Sequence, residues 1–427
     1  MNEHCDIAVV GAGAAGLAAA IWAAQTLKGR GGDPGAAGRV VVLNGSAPPA
    51  AKLLISGGGR CNLTNANLKP ADFNGSPNII RNILAGFDVP ATVAWFESLG
   101  IRLAAEEDGK LFPAAGDARS VVSSLLGRCK ELSIPIQSNC RVESVVAGQA
   151  AAAPAFAIAH AQGTLEARRV IIATGGRSLA STGSDGGGWD IARSLGHSVS
   201  PVLPALAPLV LEASFFHPLL SGLSLAVELS TYAGGKCVDR RVGQMLWTHF
   251  GVSGPVVLSA SRHILAARAL DAAGAELRCS LLPGMSFADV EQWLIARASG
   301  DPLRGIAGVL AEKLPTRLAG VLMLHCGIDK DIKIGQWPRQ PRRELVHTLT
   351  GLVLPAVGDR GWDYAELTAG GVPLDEINYR TMESRKVPGL HLAGEMLDCD
   401  GPVGGFNLQW AWSTGKLAGV AAARATD

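Results

Sequence analysis

The chain has 427 residues, enough by the usual length prior for about two or three domains. Its 38 Lys and Arg against 37 Asp and Glu leave a formal net charge of +1, which gives no support for a nucleic-acid surface or for steering towards anionic membranes. Eight scattered cysteines without a C-x-x-C pair speak against a disulfide framework and against zinc or iron–sulfur ligation, and point to reduced thiols in the cytoplasm.

The first stretch is the most informative. Ile7-Ala8-Val9-Val10 predicts a short buried strand, and Gly11, Gly13 and Gly16, with Ala12, Ala14 and Ala15 between them, have the G-x-G-x-x-G spacing that turns a strand into a helix. Gly11 allows the tight turn, Gly13 lets a pyrophosphate approach the backbone, and Gly16 lets strand and helix pack closely. The helix start presents free N–H groups and a positive dipole end to that phosphate. Residues 7–27 carry no charge and reach the length of a membrane span. The glycines fit a turn, however, and Glu3 and Asp6 are not the basic flank of a signal peptide, so a cytoplasmic chain without a membrane partner is expected.

A turn-rich loop follows over 28–38, then a second strand over 39–43. A dinucleotide-binding unit normally ends that strand in Asp or Glu, which accepts the ribose hydroxyls. Here Asn44 stands in its place, able to accept one hydrogen bond without charge assistance. Lys52 precedes the run Ser56-Gly57-Gly58-Gly59-Arg60-Cys61-Asn62, whose three glycines suit a loop laid against a flat ligand with its amides turned inwards. Arg60 and Lys52 are either phosphate partners or solvated cations.

Residues 78–133 read as helical, with a turn at 106–110, and 134–161 as short β-like runs broken by an alanine-rich surface turn. Another buried strand, 167–173, ends in Ala173-Thr174-Gly175-Gly176, small residues where a nucleotide must pass. From residue 198 the alternating segments 198–211, 223–232 and 241–250 predict an antiparallel β domain. Residues 283–344 read as helical, with Trp293, Leu294, Leu310 and Leu314 in the core, and β-like text returns at 347–357 and 365–368.

The chain then comes back to the nucleotide domain. A short strand over 387–393 ends in Gly394-Glu395, and Gly404-Gly405-Phe406-Asn407-Leu408-Gln409 opens a final helix carrying Trp410 and Trp412. Two glycines at a helix start offer N–H groups to an electron-rich ligand edge, such as the N1–C2=O region of a flavin, where reduction places negative charge.

Together the motifs GAGAAG, KLLISGGGRCNLTN, ATGG, WTHFGVSGP (247–255), LTAGGV (367–372), TMESRKVPGL (381–390) and GEMLDCDGPVGGFNLQWAWSTG (394–415) resemble the glutathione-reductase-type FAD-binding superfamily, and within it the BaiN-like or aminoacetone-oxidase-like bacterial NAD(P)/FAD-dependent oxidoreductases. The resemblance implies an α/β fold: a Rossmann-like FAD-binding domain over 1–197 and 366–427, an inserted β-barrel-like domain over 198–282 and 345–365, and a small helical insert over 283–344. It implies FAD held at the pyrophosphate by Gly11, Gly13 and Gly16 and lined by Lys52 and residues 56–62. Glu395 would meet the ribityl or ribose hydroxyls, and Gly404 to Gln409 the isoalloxazine. Asn44 and the stretch 177–189 depart from the family pattern.

FAD brings the chemistry, and the protein supplies position and electrostatics. The expected reaction is hydride transfer between flavin N5 and a small organic substrate, an enone or an amine. No second G-x-G-x-x-G unit is present, so NAD(P)H is expected only as a transient reductant. His249 is the first candidate for the proton donor, because imidazole titrates nearest neutrality. Cys61 lies in the flavin loop without a neighbouring cysteine and reads as a packing residue, and His197, His325 and His391 read as structural. The competing function classes are a flavin-containing RNA-modifying or RNA-binding protein and a redox-sensing flavoprotein without catalysis.

Overall fold

The computed structural model describes residues 4–29, 39–46, 48–106, 108–148, 156–270 and 274–425. It divides into two units, Met1–Val202 with Glu366–Asp427, and Leu203–Ala365. Of the loop expected over 28–38, Lys28 and Gly29 belong to the first helix and 30–38 lie outside the described residues, as does most of the alanine-rich tract.

The first unit is built on a parallel sheet. Strand β1 (His4–Val10) carries Ile7, Ala8 and Val9 at zero exposure, the continuous apolar run of a strand covered on both faces. It pairs in parallel with β2 (Val40–Leu43) on one side and with the strand Gly163–Ile172 on the other. Leu390–Leu392 adds in parallel to the far side of Gly163–Ile172, so strands from both ends of the sequence share one sheet. The early part of Gly163–Ile172 also pairs antiparallel with Phe156–His160, which pairs with Val142–Ala147.

Helix α1 (Ala14–Gly29) packs along the C-terminal helix Phe406–Arg424 with almost no side chains between them. A Cβ on Gly415 would lie 2.5 Å from Ala15 O, and one on Gly419 would lie 2.2 Å from Ala19 O. Alanine on one helix and glycine on the other therefore set the separation. Around them Trp22, Phe87, Trp95, Phe96 and Trp412 form an aromatic cluster with ring centroids 4.8–6.1 Å apart.

The uncharged stretch 7–27 is a strand, a turn and a helix. By length and composition alone, 77–98 is apolar enough to cross a membrane. It consists of two ten-residue helices, Pro77–Gly86 and Val89–Ser98, the second capped by Asp88, whose carboxylate accepts the Ala91 N–H. Each is about 15 Å long, half a bilayer core, and Ile80, Ile83, Trp95 and Phe96 are buried in the protein.

In the second unit, seven strands follow the order 352–354, 276–280, 224–233, 236–247, 251–253, 209–211, 356–359. The two ends of this path belong to one continuous segment broken at Pro355, so the sheet curls towards barrel closure. The helix Pro255–Ala269, which the sequence reading did not single out, belongs to this unit. The helices of 287–351 share one apolar core with the strands: Leu229, Trp247, Leu294, Leu310, Leu318 and Leu345 are all fully buried in it. The helical insert expected over 283–344 is thus part of the barrel-like unit. Trp293 is only partly buried at its edge.

Two further boundaries differ from expectation. Residues 198–202 stay with the first unit, where Ser198 bonds Glu376 and Ser200 bonds Gly371. The β-like reading of 347–357 fails over its first part: helix Arg339–Gly351 runs through it, because Leu345, Val346 and Leu349 fall on one helical face and override the β-branched residues around them.

Candidate functional site

The site lies at the carboxyl end of the parallel strands of the first unit. After β1, Gly11 adopts φ +107°, and a Cβ there would meet Ala173 O at 2.4 Å. A Cβ on Gly16 would sit 1.9 Å from Gly11 O. Both glycines are therefore required by the fold itself. Gly13 differs: no protein atom lies within 4 Å of where its Cβ would be, and it stands exposed at the start of α1. Ala14 and Ala15 follow it into the helix.

Asn44 is a structural partner of this turn. Its Oδ1 accepts the Ala12 N–H at 3.2 Å and its Nδ2 donates to Ser46 O at 2.6 Å. The amide is spent on the loop, where an acidic residue would have had only acceptors to offer.

Lys52 is not a solvated cation. Its ammonium donates to Ser178 Oγ at 2.7 Å and to both Glu395 oxygens at 2.9 and 3.1 Å. Glu395 Oε1 also accepts the Thr368 N–H at 3.0 Å and the Ser178 hydroxyl at 3.2 Å. Thr368 Oγ1 in turn accepts the N–H groups of Arg177 and Ser178. Gly176 makes room for this cluster, since a Cβ there would lie 2.4 Å from Thr368 Oγ1 and 2.7 Å from Glu395 Oε1. Ser178 and Thr368 were missed as site residues; Thr368 stands in the quoted LTAGGV motif, whereas nothing local marks Ser178. Arg60 pairs with Glu106 and lies over the Phe112 ring at 3.9 Å, at the surface.

In the triple-glycine loop, Gly57, Gly58 and Gly59 all have positive φ, from +56° to +83°. Ser56 closes the preceding turn by donating to Leu53 O. Cys61 is fully buried, and burial, only partly offset by a hydrogen bond with Ser56, pushes its thiol up to about 11. Its thiolate is scarce at neutral pH, consistent with packing. Asn62 is buried beside it, and its Oδ1 has no protein partner.

The C-terminal turn closes over this loop. Gly394 has φ +80°, with its Cβ position 2.8 Å from Ala15 Cβ, which brings the Gly394-Glu395 segment to the start of α1. Gly404 and Gly405 have φ +127° and +94°, and a Cβ on Gly405 would meet Thr64 O at 2.5 Å and Asn62 Oδ1 at 2.9 Å. Phe406 and Leu408 begin the helix.

Two residues expected at the isoalloxazine are committed elsewhere. Gln409 has no exposed surface: its Oε1 accepts from Thr64 Oγ1 at 2.6 Å, and its Nε2 faces Phe87 O, Thr92 Oγ1 and Ser413 Oγ at 2.8–3.1 Å. Asn407 clamps the loop before it, accepting the Gly401 N–H and donating to Gly401 O. Both shape the turn from behind.

Two more buried oxygens lack partners at the Ala173-Thr174-Gly175 turn. They are Thr174 Oγ1 and Ser184 Oγ, the second lying 2.9 Å from the Gly175 Cβ position.

The other candidates fall elsewhere. His249 lies in the second unit on an exposed turn, its ring edge-on to Phe250 at 5.1 Å. His197 is buried between Glu376 (2.7 Å) and Ser384 (2.8 Å), and His391 is buried with Nδ1 on Thr381 O, so both are structural. His325 packs against Phe216 at 4.8 Å. Among the described residues no group of His, Cys, Asp and Glu is arranged to hold a metal.

The HI0933-like protein Rossmann domain matches residues 5–421. The chain is 33% identical to the 3-dehydro-bile acid delta(4,6)-reductase of Clostridium scindens over 98% of both proteins. It is 32% identical to the ribosomal RNA dihydrouridine synthase of Escherichia coli over 96% of both. The fold is also that of 3-ketosteroid delta1-dehydrogenase from Sterolibacterium denitrificans, with a TM-score of 0.52 at 13% identity, covering 99% of this chain and all of that one. A glycine turn open at Gly13 and a loop of left-handed glycines fit FAD as the resident cofactor. With its matching glycine turns at both ends of the sequence, the chain belongs to the HI0933-like Rossmann family of FAD-dependent oxidoreductases.

Proposed function

We propose that this protein reduces a carbon–carbon double bond conjugated to a carbonyl group. The observation that carries the reading is chemical agreement between relatives of different name. A 3-dehydro bile acid with Δ4,6 unsaturation is a conjugated enone, and the C5=C6 bond of uridine, lost in dihydrouridine, is conjugated to the C4 carbonyl. Both ask for a hydride at the far carbon and a proton at the carbon beside the carbonyl.

FAD, when bound, supplies the hydride at N5, with NAD(P)H as its transient source. The chain contributes the rest. Gly404, Gly405 and the first turn of the C-terminal helix offer N–H groups where negative charge gathers. The Lys52–Glu395 pair fixes one wall of the cradle. We keep His249, exposed on its turn in the second unit, as the proposed proton donor.

The test begins with anaerobic reduction of the FAD-loaded protein by NADPH, followed by addition of a 3-oxo-4-ene steroid or cyclohexenone. Rapid return of the flavin absorbance, with a product heavier by two hydrogens, is expected, and His249→Gln should slow it about a hundredfold. A reduced protein that only oxygen reoxidises would overturn the reading. A second reading, reduction of a uridine base within RNA, is favoured by the name of the Escherichia coli relative. Dihydrouridine in digests of ribosomal RNA incubated with the reduced protein, with no turnover of small enones, would select it.

A further inference from the structure

In the second unit, Arg360 follows the strand Ala356–Asp359 and is half-buried. Its guanidinium lies over the Tyr364 ring at 3.7 Å and over the Phe250 ring at 4.4 Å. Among the described residues no hydrogen bond or ion pair holds it. Asp359, its neighbour in the chain, spends one carboxylate oxygen on the Gly361 N–H at 2.6 Å. Both rings stand on braced turns. The Thr248 N–H donates to Gly251 O at 2.9 Å, the Gly251 N–H to Thr248 Oγ1 at 3.1 Å, and the Leu211 N–H to Phe250 O at 3.1 Å. On the other side, the Tyr364 N–H donates to Gly361 O at 3.1 Å. The turn that carries Phe250 also carries His249, the two rings edge-on at 5.1 Å.

Stacking covers the faces of a guanidinium and leaves the N–H groups at its rim free to donate. A planar fork gripped in this way loses little freedom on meeting an oxygen that bears negative charge. It keeps its proton at neutral pH, so it can hold an anion but cannot supply the proton. We propose, resting on the enone reading above, that Arg360 donates to the carbonyl oxygen of the substrate. When the hydride reaches the far carbon, the electron pair of the C=C bond moves towards the carbonyl and the charge of the enolate gathers on its oxygen, against the guanidinium. The proton from His249 then goes to the carbon beside the carbonyl, and the substrate has gained one hydride and one proton.

The test uses the full chain loaded with FAD and compares variants at equal FAD content. Arg360→Met keeps an unbranched side chain between the rings and removes the charge. After anaerobic reduction, its flavin should be reoxidised by cyclohexenone about a hundredfold to a thousandfold more slowly than in the wild type. It should also bind 4-nitrophenolate, a coloured mimic of the enolate, about tenfold to a hundredfold more weakly. Arg360→Lys, which keeps the charge but loses the fork, should lie between the two in both measurements. Reoxidation and phenolate binding equal to wild type in Arg360→Met, or an Arg360→Lys variant no better than Arg360→Met, overturns the proposal while leaving the enone reading intact. A wild type that reduces no enone overturns that reading itself. Should Arg360→Met fail to fold, the wild type answers with the probe alone: tighter binding of 4-nitrophenolate than of neutral 4-nitroanisole supports the role, and equal binding overturns it.

Discussion

Two glycine turns open helices at opposite ends of this sequence, and they are built by different physics. The first, Gly11 to Gly16, is local: its glycines are needed because Gly16 touches Gly11 O and Gly11 touches Ala173 O, all within one strand–turn–helix and its neighbour. The second, Gly404–Gly405, is held from a distance. Its shape depends on Asn65 bonding Gly404 O, on Thr64 O pressing against Gly405, and on Gln409 bridging Thr64, Phe87 and Thr92. A local turn is specified by glycine spacing, whereas a remote one needs a network of buried amides and hydroxyls that must all be satisfied.

The sharpest way to break this comparison is inside the first turn. Gly16→Ala places a Cβ 1.9 Å from a backbone oxygen and should cost at least about 3 kcal/mol, enough to remove folded, FAD-binding protein. Gly13→Ala meets nothing and should unfold within about 0.5 kcal/mol of wild type, with weakened FAD binding as its main effect. Thermal unfolding of the apoproteins together with FAD titration distinguishes them, and equal stability of the two variants would contradict the geometry. In the second turn, Gln409→Leu keeps the volume but strands the partners of the amide, and should cost about 3 kcal/mol in urea unfolding. A loss below about 1 kcal/mol would mean that the second turn is as local as the first.

The smallest expected effect lies away from both turns. Burial alone would raise the Glu376 carboxyl, but hydrogen bonds from Lys386, Ser198 and His197 outweigh it and bring it down to about 2. A carboxyl depressed in the folded state stabilises above its ordinary value, and that contribution disappears as pH falls from about 4.5 towards about 2. Glu376→Gln should flatten this part of the acid-stability curve while leaving both turns and FAD binding unchanged. An unaltered acid limb would place the acid sensitivity elsewhere.

The same contrast explains what the sequence disclosed. β1, the Gly11–Gly16 turn and the strand before Thr174 were legible because each is an apolar run joined to glycine at fixed spacing. Gly404 and Gly405 were legible as a helix start. The inward commitment of Gln409 was not, because its partners Thr64, Phe87 and Thr92 lie more than three hundred positions away. Lys52 reads from the sequence as either a phosphate partner or a solvated cation for the same reason: Glu395 reaches it only through the fold. In the second unit, Leu345, Val346 and Leu349 show how a shared core decides between helix and strand where β-branched residues blur the period.

The backbone contact between Ala15, Ala19 and Gly415, Gly419 also bears on the order in which the molecule is made. During synthesis the first helix leaves the ribosome nearly four hundred residues before its partner, while the strands and helices of 203–365 find one another within their own stretch. The inserted unit is therefore free to assemble early. The alanine-rich face of the N-terminal helix must wait uncovered until the last segment arrives, an interval in which it invites misassociation and chaperone capture.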